Sequence, residues 1–242
     1  MATPTHRAPT VTDLSLASVV PIRSQIAARL VTAHHYLHRR PPISHAFGIR
    51  IGGTIQGVVT YGVPASRHLQ LSACPTDPGA VLELNRLWLD DALPANSESW
   101  FVSRTLRRLP PRIVVSYADP AHGHLGYIYR ALNFRYAGWT DMERVTPRYD
   151  YIPVDPSKHT RDAMRSGFSE RRRRVAKVKY WTVTGTKADR RRLVAACGWP
   201  SMSWQVSPPP VPTATESVET ARRSGYTRQG VAKILRNTTR SG

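Results

Sequence analysis

Cysteine is scarce in this chain of 242 residues: Cys74 and Cys197 are too few and too far apart for a disulfide framework or a zinc knuckle, as expected in a reducing compartment. No apolar run is long enough to span a bilayer, and the N-terminus lacks a charged-then-apolar signal pattern, so an intracellular protein is expected. No long amphipathic stretch with a bulky apolar face supports a membrane-surface partner. Acids are few as well, 16 against 35 Lys and Arg, which leaves a net charge of +19. That excess points to a polyanionic partner and says nothing about fold. It is unevenly spread: residues 156–242 hold 19 basic and 5 acidic residues, whereas residues 1–155 hold 16 and 11.

What is present reads as one α/β domain with appendages. Residues 1–20, rich in Thr, Ala, Ser and Pro, read as a loose arm. From Pro21 to His38 a helix is predicted, with Ile22, Ile26, Leu30, Ala33 and Leu37 on one face and Pro41-Pro42 as its stop. Ala46–Ile51, Gly52-Gly53 and Ile55–Tyr61 form a hairpin signature whose strands would sit mid-sheet. Residues 64–80 read as a surface loop. Val81–Leu89 alternates leucines with Glu83, Asn85, Arg86 and Trp88, as a half-polar strand lining a cleft should. Asn96 or Ser97 can cap a helix running to Leu109 that carries Ser103. A basic segment, 156–182, includes Glu170–Val183, which feeds a final strand. The predicted class is therefore α/β, a mixed central sheet flanked by helices over residues 21–204. Residues 205–215 form a Pro-rich linker. Residues 216–242 can form two short helices around Gly225, a helix-turn-helix presenting Thr227, Arg228, Gln229 and Lys233 to a DNA groove.

The most informative stretch is Ile113–Trp139. Ile113, Val114 and Val115 make a buried strand, Asp119-Pro120 a polar turn with one carboxylate, and Leu125, Ile128, Tyr129 and Leu132 a short helix before a second strand. A carboxylate just past the carboxyl end of a buried strand marks a ligand site.

That stretch resembles the last block of the acetyltransferase-like (GNAT) fold, and in detail the Mom family of phage DNA-modification proteins. His34-His35-Tyr36-Leu37, Gly57–Gly62 and Glu83–Leu89 support the match by their order and spacing, over roughly residues 20 to 185. The resemblance implies an enzyme in the cytoplasm of an infected bacterium. It would add a carbamoylmethyl group to adenine N6 in double-stranded DNA and so protect the DNA from restriction. It also implies roles for His35, Tyr36, Ser103, Asp119 and Tyr129. The N6 lone pair is delocalised into the ring, so a base must take the N6 proton as the new bond forms. Asp119 or His35 is the candidate base, with Tyr129 or Tyr36 orienting.

A base in duplex DNA must be extruded, which needs aromatic surfaces and phosphate clamps. Tyr36, Tyr61, Trp88 and Tyr129 are the candidate surfaces, with Glu83 and Asn85 beside them on the polar strand. Arg39, Arg40, Arg104, Arg107, Arg108, Arg171, Arg172, Arg173, Arg174, Lys177 and Lys179 are the candidate clamps. Acetyl-CoA is disfavoured as cofactor: Asp90–Glu98, where this fold keeps a glycine-rich pyrophosphate cradle, has no glycine and three acids. The methylene bonded to nitrogen points the same way, since acyl-CoA would leave an amide. The carbon donor stays unnamed. His35 and Asp119, with His34, His38 and His45 near in sequence, leave a two-His-one-carboxylate iron site open, and a dimer is compatible with the chain. Two rival readings are an acyl-CoA-dependent N-acetyltransferase of a small molecule or protein, and a non-enzymatic DNA-binding regulator built on the terminal helices.

Overall fold

The computed structural model describes residues 13–140, 148–154, 165 and 167–204. The expected linker at 205–215 and helix-turn-helix at 216–242, with Thr227, Arg228, Gln229 and Lys233, lie outside the described residues. These divide into two units. The first holds residues 13–118, 124–138 and 178–204 and is built on a seven-stranded mixed sheet.

Chain order gives β1 (Ser18–Pro21), α1 (Ser24–His34), β2 (His45–Ile51), β3 (Thr54–Gly62), α2 (Arg67–Ala73), β4 (Val81–Leu89), α3 (Ser97–Leu106), β5 (Ile113–Ala118), α4 (Tyr127–Ala131) and β6 (Arg135–Trp139). After β7 (Tyr149–Pro153) and β8 (Phe168–Arg173) come β9 (Val178–Val183) and α5 (Lys187–Ala196). The sheet order is β1-β2-β3-β4-β5-β9-β6. The expected α/β class is the one observed, with the hairpin turning at Gly52-Gly53. That hairpin lies toward one side of the sheet, and β4 takes the middle.

Four expectations are corrected. The arm contains an edge strand, since Ser18–Pro21 pairs with β2 and buries Val19; the two-valine run is too short to announce itself. Helix α1 stops at His34 because His35 is extended, and it buries Ala27, Ala28 and Val31 while Ile26 is exposed. Small alanines let the helix approach the sheet; of the expected face Ile22 and Leu30 pack at the margin of that core, so the bulky periodicity was offset from the buried face rather than opposite to it. Residues 64–80 hold helix α2, whose N-cap Ser66 accepts from the Leu69 N–H. The run Glu170–Val183 is split between β8 and β9, which belong to different sheets.

Helix α1 covers Ala46, Val58 and Trp88 on one face of the sheet. Ala73 of α2 and Leu193 of α5 pack with Val81, Ile113, Val115 and Trp181. Strand alternation then turns Tyr61, Leu84 and Ser116 toward the opposite face. There Tyr61 bonds Thr105 of α3, and Ser116 bonds Tyr129 of α4.

The feature that positions the site is a parting of strands. The parallel pair β4 and β5 is joined over only three registers, Val81↔Ile113 to Glu83↔Val115. On its other edge β4 slips against β3, with Tyr61 facing Leu84 and Thr60 facing Arg86, so Asn85 is an extra, bulged residue. Its side chain locks the bulge: Oδ1 accepts from Thr60 Oγ1 at 2.6 Å, and Nδ2 donates to the Pro42 carbonyl at 2.7 Å. That carbonyl comes so close to Gly62 that a Cβ there would collide with it. The chain leaving α1 is thus clamped beside the bulge.

The second unit comprises residues 119–123, with the described parts of 139–177. Its β7 and β8 form a separate antiparallel ribbon. Thr140 and Lys177 are tied twice, by Thr140 N–H to the Lys177 carbonyl (2.8 Å) and Lys177 N–H to Thr140 Oγ1 (2.9 Å).

Candidate active site

In the first unit, the candidate site lies where the pairing of β4 with β5 ends at Glu83↔Val115. Beyond Val115, strand β5 pairs with β9, so its β4 side has lost its backbone partner and side chains fill the gap. Ser116 Oγ stands 2.9 Å from the Leu84 carbonyl oxygen and 2.7 Å from the Tyr129 hydroxyl. A serine hydroxyl has one proton and a carbonyl can only accept. Ser116 therefore donates to Leu84, Tyr129 donates to Ser116, and the lone pairs of Tyr129 remain to accept a proton donor.

Burial pushes the Tyr129 phenol up to about 12, with Tyr36, Glu83 and Tyr180 adding to the rise and the Ser116 bond opposing it. Tyr129 thus keeps its proton at neutral pH and serves as a neutral hydrogen-bonding group. The influence of Tyr36 and Glu83 brings side chains from the α1 side of the sheet within electrostatic reach of Tyr129 on the other. Burial also raises the Tyr117 phenol, Glu83 adding to it. Arg86 completes this group: burial lowers its pKa, with Glu83 and Tyr36 working in the opposite direction. Its Nε is buried without a hydrogen-bond partner among the described residues.

The chain after α1 supplies an aromatic stack. His34 lies flat on Trp88, centroids 4.1 Å apart. His35 is buried and stacks on Tyr36 at 4.3 Å, and Tyr36 tilts against His124 at 5.6 Å. The Leu37 N–H donates to His35 Nδ1 at 3.1 Å, so a neutral His35 carries its proton on Nε2. Tyr36 as a residue is 38 % exposed. His38 is engaged through Nδ1 with the Thr32 carbonyl. Tyr180 closes the far side, donating to the Leu125 carbonyl and accepting from Trp204 Nε1, both at 2.8 Å.

The remaining candidates of this unit are placed as follows. Tyr61 is fully buried with its hydroxyl 2.6 Å from Thr105 Oγ1, and Asn85 holds the bulge. Ser103 donates to the Trp100 carbonyl one turn back, and Arg104 lies 3.8 Å over the Trp100 ring. Arg108 donates to the Val19 carbonyl, Arg107 is exposed at the end of α3, and Lys179 lies 5.4 Å over Trp199. Ser116, Thr105 and Tyr180 were missed from sequence. The signal for Ser116 was a lone hydroxyl inside the β-branched run Ile113-Val-Val-Ser.

In the second unit Asp119 is 7 % exposed. Its Oδ1 accepts from the Ala121 N–H at 3.2 Å, capping the 3-10 turn Pro120–His122, and its Oδ2 pairs with Lys177 Nζ at 2.8 Å. On the ribbon, Arg171 lies over Tyr149 and Arg174 pairs with Asp150, while Arg172 registers with Asp150 and Arg173 with Tyr149. Among the described residues, no three His, Cys, Asp or Glu side chains gather to hold a metal ion, His35 and Asp119 included. No described helix is long and apolar enough to cross a membrane.

The profile of the Mom protein family matches residues 17–192. Methylcarbamoylase mom of Escherichia phage Mu is 33 % identical over 123 residues, 47 % of this chain and 50 % of that protein, so the chain spans about half the length of this curated relative. Among solved structures, an N-acetyltransferase from Staphylococcus aureus Mu50 is similar at 12 % identity and a TM-score of 0.42, covering 70 % of this chain and 99 % of that one. The GphF GNAT-like decarboxylase in complex with isobutyryl-CoA is similar at 14 % identity and a TM-score of 0.41, covering 69 % and 98 %.

Proposed function

The chain belongs to the Mom protein family, and from that premise we propose that it is a DNA-modifying transferase that places a carbamoylmethyl group on N6 of adenine in double-stranded DNA. The setting is the cytoplasm of an infected bacterium, where an altered base edge would spoil the groove pattern that restriction enzymes read. The observation that carries this reading is Tyr129: a neutral, buried phenol bonded to Ser116, where the pairing of β4 with β5 ends.

The reaction forms a bond between N6 and the methylene carbon of the donor, whose leaving group departs with the bonding pair, and N6 loses one proton. Tyr129 would accept an N6–H and turn the amino group's lone pair toward the carbon. Tyr36 would stack on the extruded adenine, with His35 packed against its ring to orient it. The family resemblance, rather than the geometry, offers Asp119 as the acceptor of the N6 proton; within its own unit Lys177 and the Ala121 N–H hold its carboxylate.

The residues present do not fit acyl-CoA. The turn from β4 into α3 has Asp90 and Asp91 where a pyrophosphate would need backbone amides, and the Asp90 carboxylate already takes the Ala92 N–H. The test is nucleoside mass analysis of plasmid DNA from bacteria expressing the protein, beside a Tyr129→Phe control. A new adenosine species heavier by an acetamide-sized group, lost or sharply reduced in the control, is the expected result. Unmodified DNA from folded, abundant protein would sink the proposal.

A further inference from the structure

The β7–β8 ribbon separates its side chains in a way that a run of four arginines does not announce. Cross-strand partners share a face, so the register Tyr149↔Arg173 and Tyr151↔Arg171 puts two tyrosines and two arginines on one side. The register Asp150↔Arg172 and Ile152↔Glu170 puts both acids on the other. Within the aromatic side, the Arg171 guanidinium lies 3.7 Å over the Tyr149 ring, and Tyr151 meets Phe168 edge-on at 4.9 Å. Arg171, Arg173 and Phe168 are exposed. On the acidic side, Asp150 is neutralised by Arg174 at 2.7 Å.

The arginines alternate between the two faces, but the acids share one face and the tyrosines the other, so Arg171 and Arg173 stand beside rings and Asp150 is met by Arg174. Stacking on Tyr149 fixes the plane of the Arg171 guanidinium and leaves its N–H edge to bond outward, and a planar fork of donors matches phosphate oxygens. An acid-free face of arginine and tyrosine complements a polyanion, and a two-stranded ribbon is of a width that fits beside or within the duplex major groove. We infer that the Tyr149–Tyr151–Arg171–Arg173 face of this ribbon docks on the phosphate backbone of double-stranded DNA, as a positioning surface without base readout. The inference rests on the proposed DNA-modifying function and names the surface that would hold its substrate.

The test measures binding of the full chain to a fluorescent duplex by anisotropy across a salt series, together with adenine modification in cells. The variants are R171Q/R173Q, the charge-retaining R171K/R173K, and R190Q/R191Q, which removes equal charge from exposed positions on α5. Each lost phosphate contact lowers the slope of log affinity against log salt by about 0.9. R171Q/R173Q should therefore flatten the slope by roughly 1.8 and weaken binding by about 10- to 100-fold. R171K/R173K should recover most of the slope, and R190Q/R191Q should leave it near that of the parent. If the parent modifies and binds DNA while R171Q/R173Q matches it in slope, affinity and modification, the ribbon inference is overturned and the function stands. An equal fall in R190Q/R191Q also overturns it, because net charge alone would then explain binding. A parent that neither binds duplex nor modifies adenine removes the function first and the ribbon's role with it.

Discussion

The Tyr129 hydroxyl donates to Ser116, because the single proton of Ser116 is committed to the Leu84 carbonyl 2.9 Å away. The two hydroxyls therefore have separable jobs in the proposed reaction: Ser116 fixes the direction of Tyr129, and Tyr129 is the group proposed to meet N6. Tyr129→Phe removes that hydroxyl and leaves the Ser116–Leu84 bond intact. Modification should fall about 10²- to 10⁴-fold with little change in stability. Ser116→Ala instead deprives a buried carbonyl and the Tyr129 proton of their partner, a cost of about 1–3 kcal/mol, and should lower modification less. Modified-nucleoside yield and denaturant midpoints on the same proteins check this crossed pattern. Parallel losses in both variants would contradict it.

Alkaline pH gives an independent reading of the same phenol. Burial raises Tyr129 to about 12 from an ordinary value near 10. Below about pH 10 both folded and unfolded chains hold the proton, so its contribution to stability is fully present. Between about 10 and 12 the unfolded chain releases its proton first, and stability falls by about 1.4 kcal/mol for each pH unit. Burial raises Tyr61 and Tyr117 in the same direction, which adds to the fall. Urea midpoints from about pH 9 to 12 should drop less steeply in Tyr129→Phe than in the parent, and identical slopes would show that Tyr129 titrates as if exposed.

Much of this was legible in the chain. Gly52-Gly53 announced its hairpin, and Ile113–Trp139 announced the strand, turn, helix and strand that hold Ser116, Asp119 and Tyr129. The bulge was written in the sequence too, as the two consecutive polar residues Asn85 and Arg86 that break the alternation of β4. The latch that holds it was not, because it joins Asn85 to Thr60 and Pro42, which are far away in sequence. The burial of Tyr61 was equally hidden, since a tyrosine on a strand reads the same whether it faces Thr105 or a ligand. The sorting of Arg171 and Arg173 from the acids of the ribbon required the pairing register of two distant segments.

The clamp on the bulge predicts a sharp response at Gly62. A Cβ there would drive into the Pro42 carbonyl and lie 2.9 Å from Asn85 Nδ2. Gly62→Ala should cost about 1–3 kcal/mol, as overpacking does, and loosen the segment that carries His35 and Tyr36. Asn85→Ala, which removes the latch without a collision, should weaken modification with a smaller loss of stability. Urea unfolding of both variants beside the parent decides the matter. A Gly62→Ala protein as stable and active as the parent would show that the clamp does not position the site.

The last prediction separates structure from chemistry at Asp119. Its carboxylate is buried and touches Lys177 Nζ at 2.8 Å, while the lysine side chain is 38 % exposed. Such a pair lies between exposed pairs, worth about 0.2–1 kcal/mol, and fully buried ones, whose breaking costs about 3–5. Lys177→Met should therefore destabilise by about 1–3 kcal/mol, because it leaves the carboxylate buried without its cation. Asp119→Asn keeps an oxygen for the Ala121 N–H and should cost less than Asp119→Ala, which abolishes the cap of the 3-10 turn as well. If Asp119 only holds the turn, modification should track stability across the three variants, with Asp119→Asn the most active. If Asp119 accepts the N6 proton, Asp119→Asn should be the best folded of the three and yet inactive, since an amide cannot take a proton at neutral pH. Melting temperatures and modified-adenine yields from one set of preparations distinguish the two, and high activity in Asp119→Asn would move the proton acceptor to another residue.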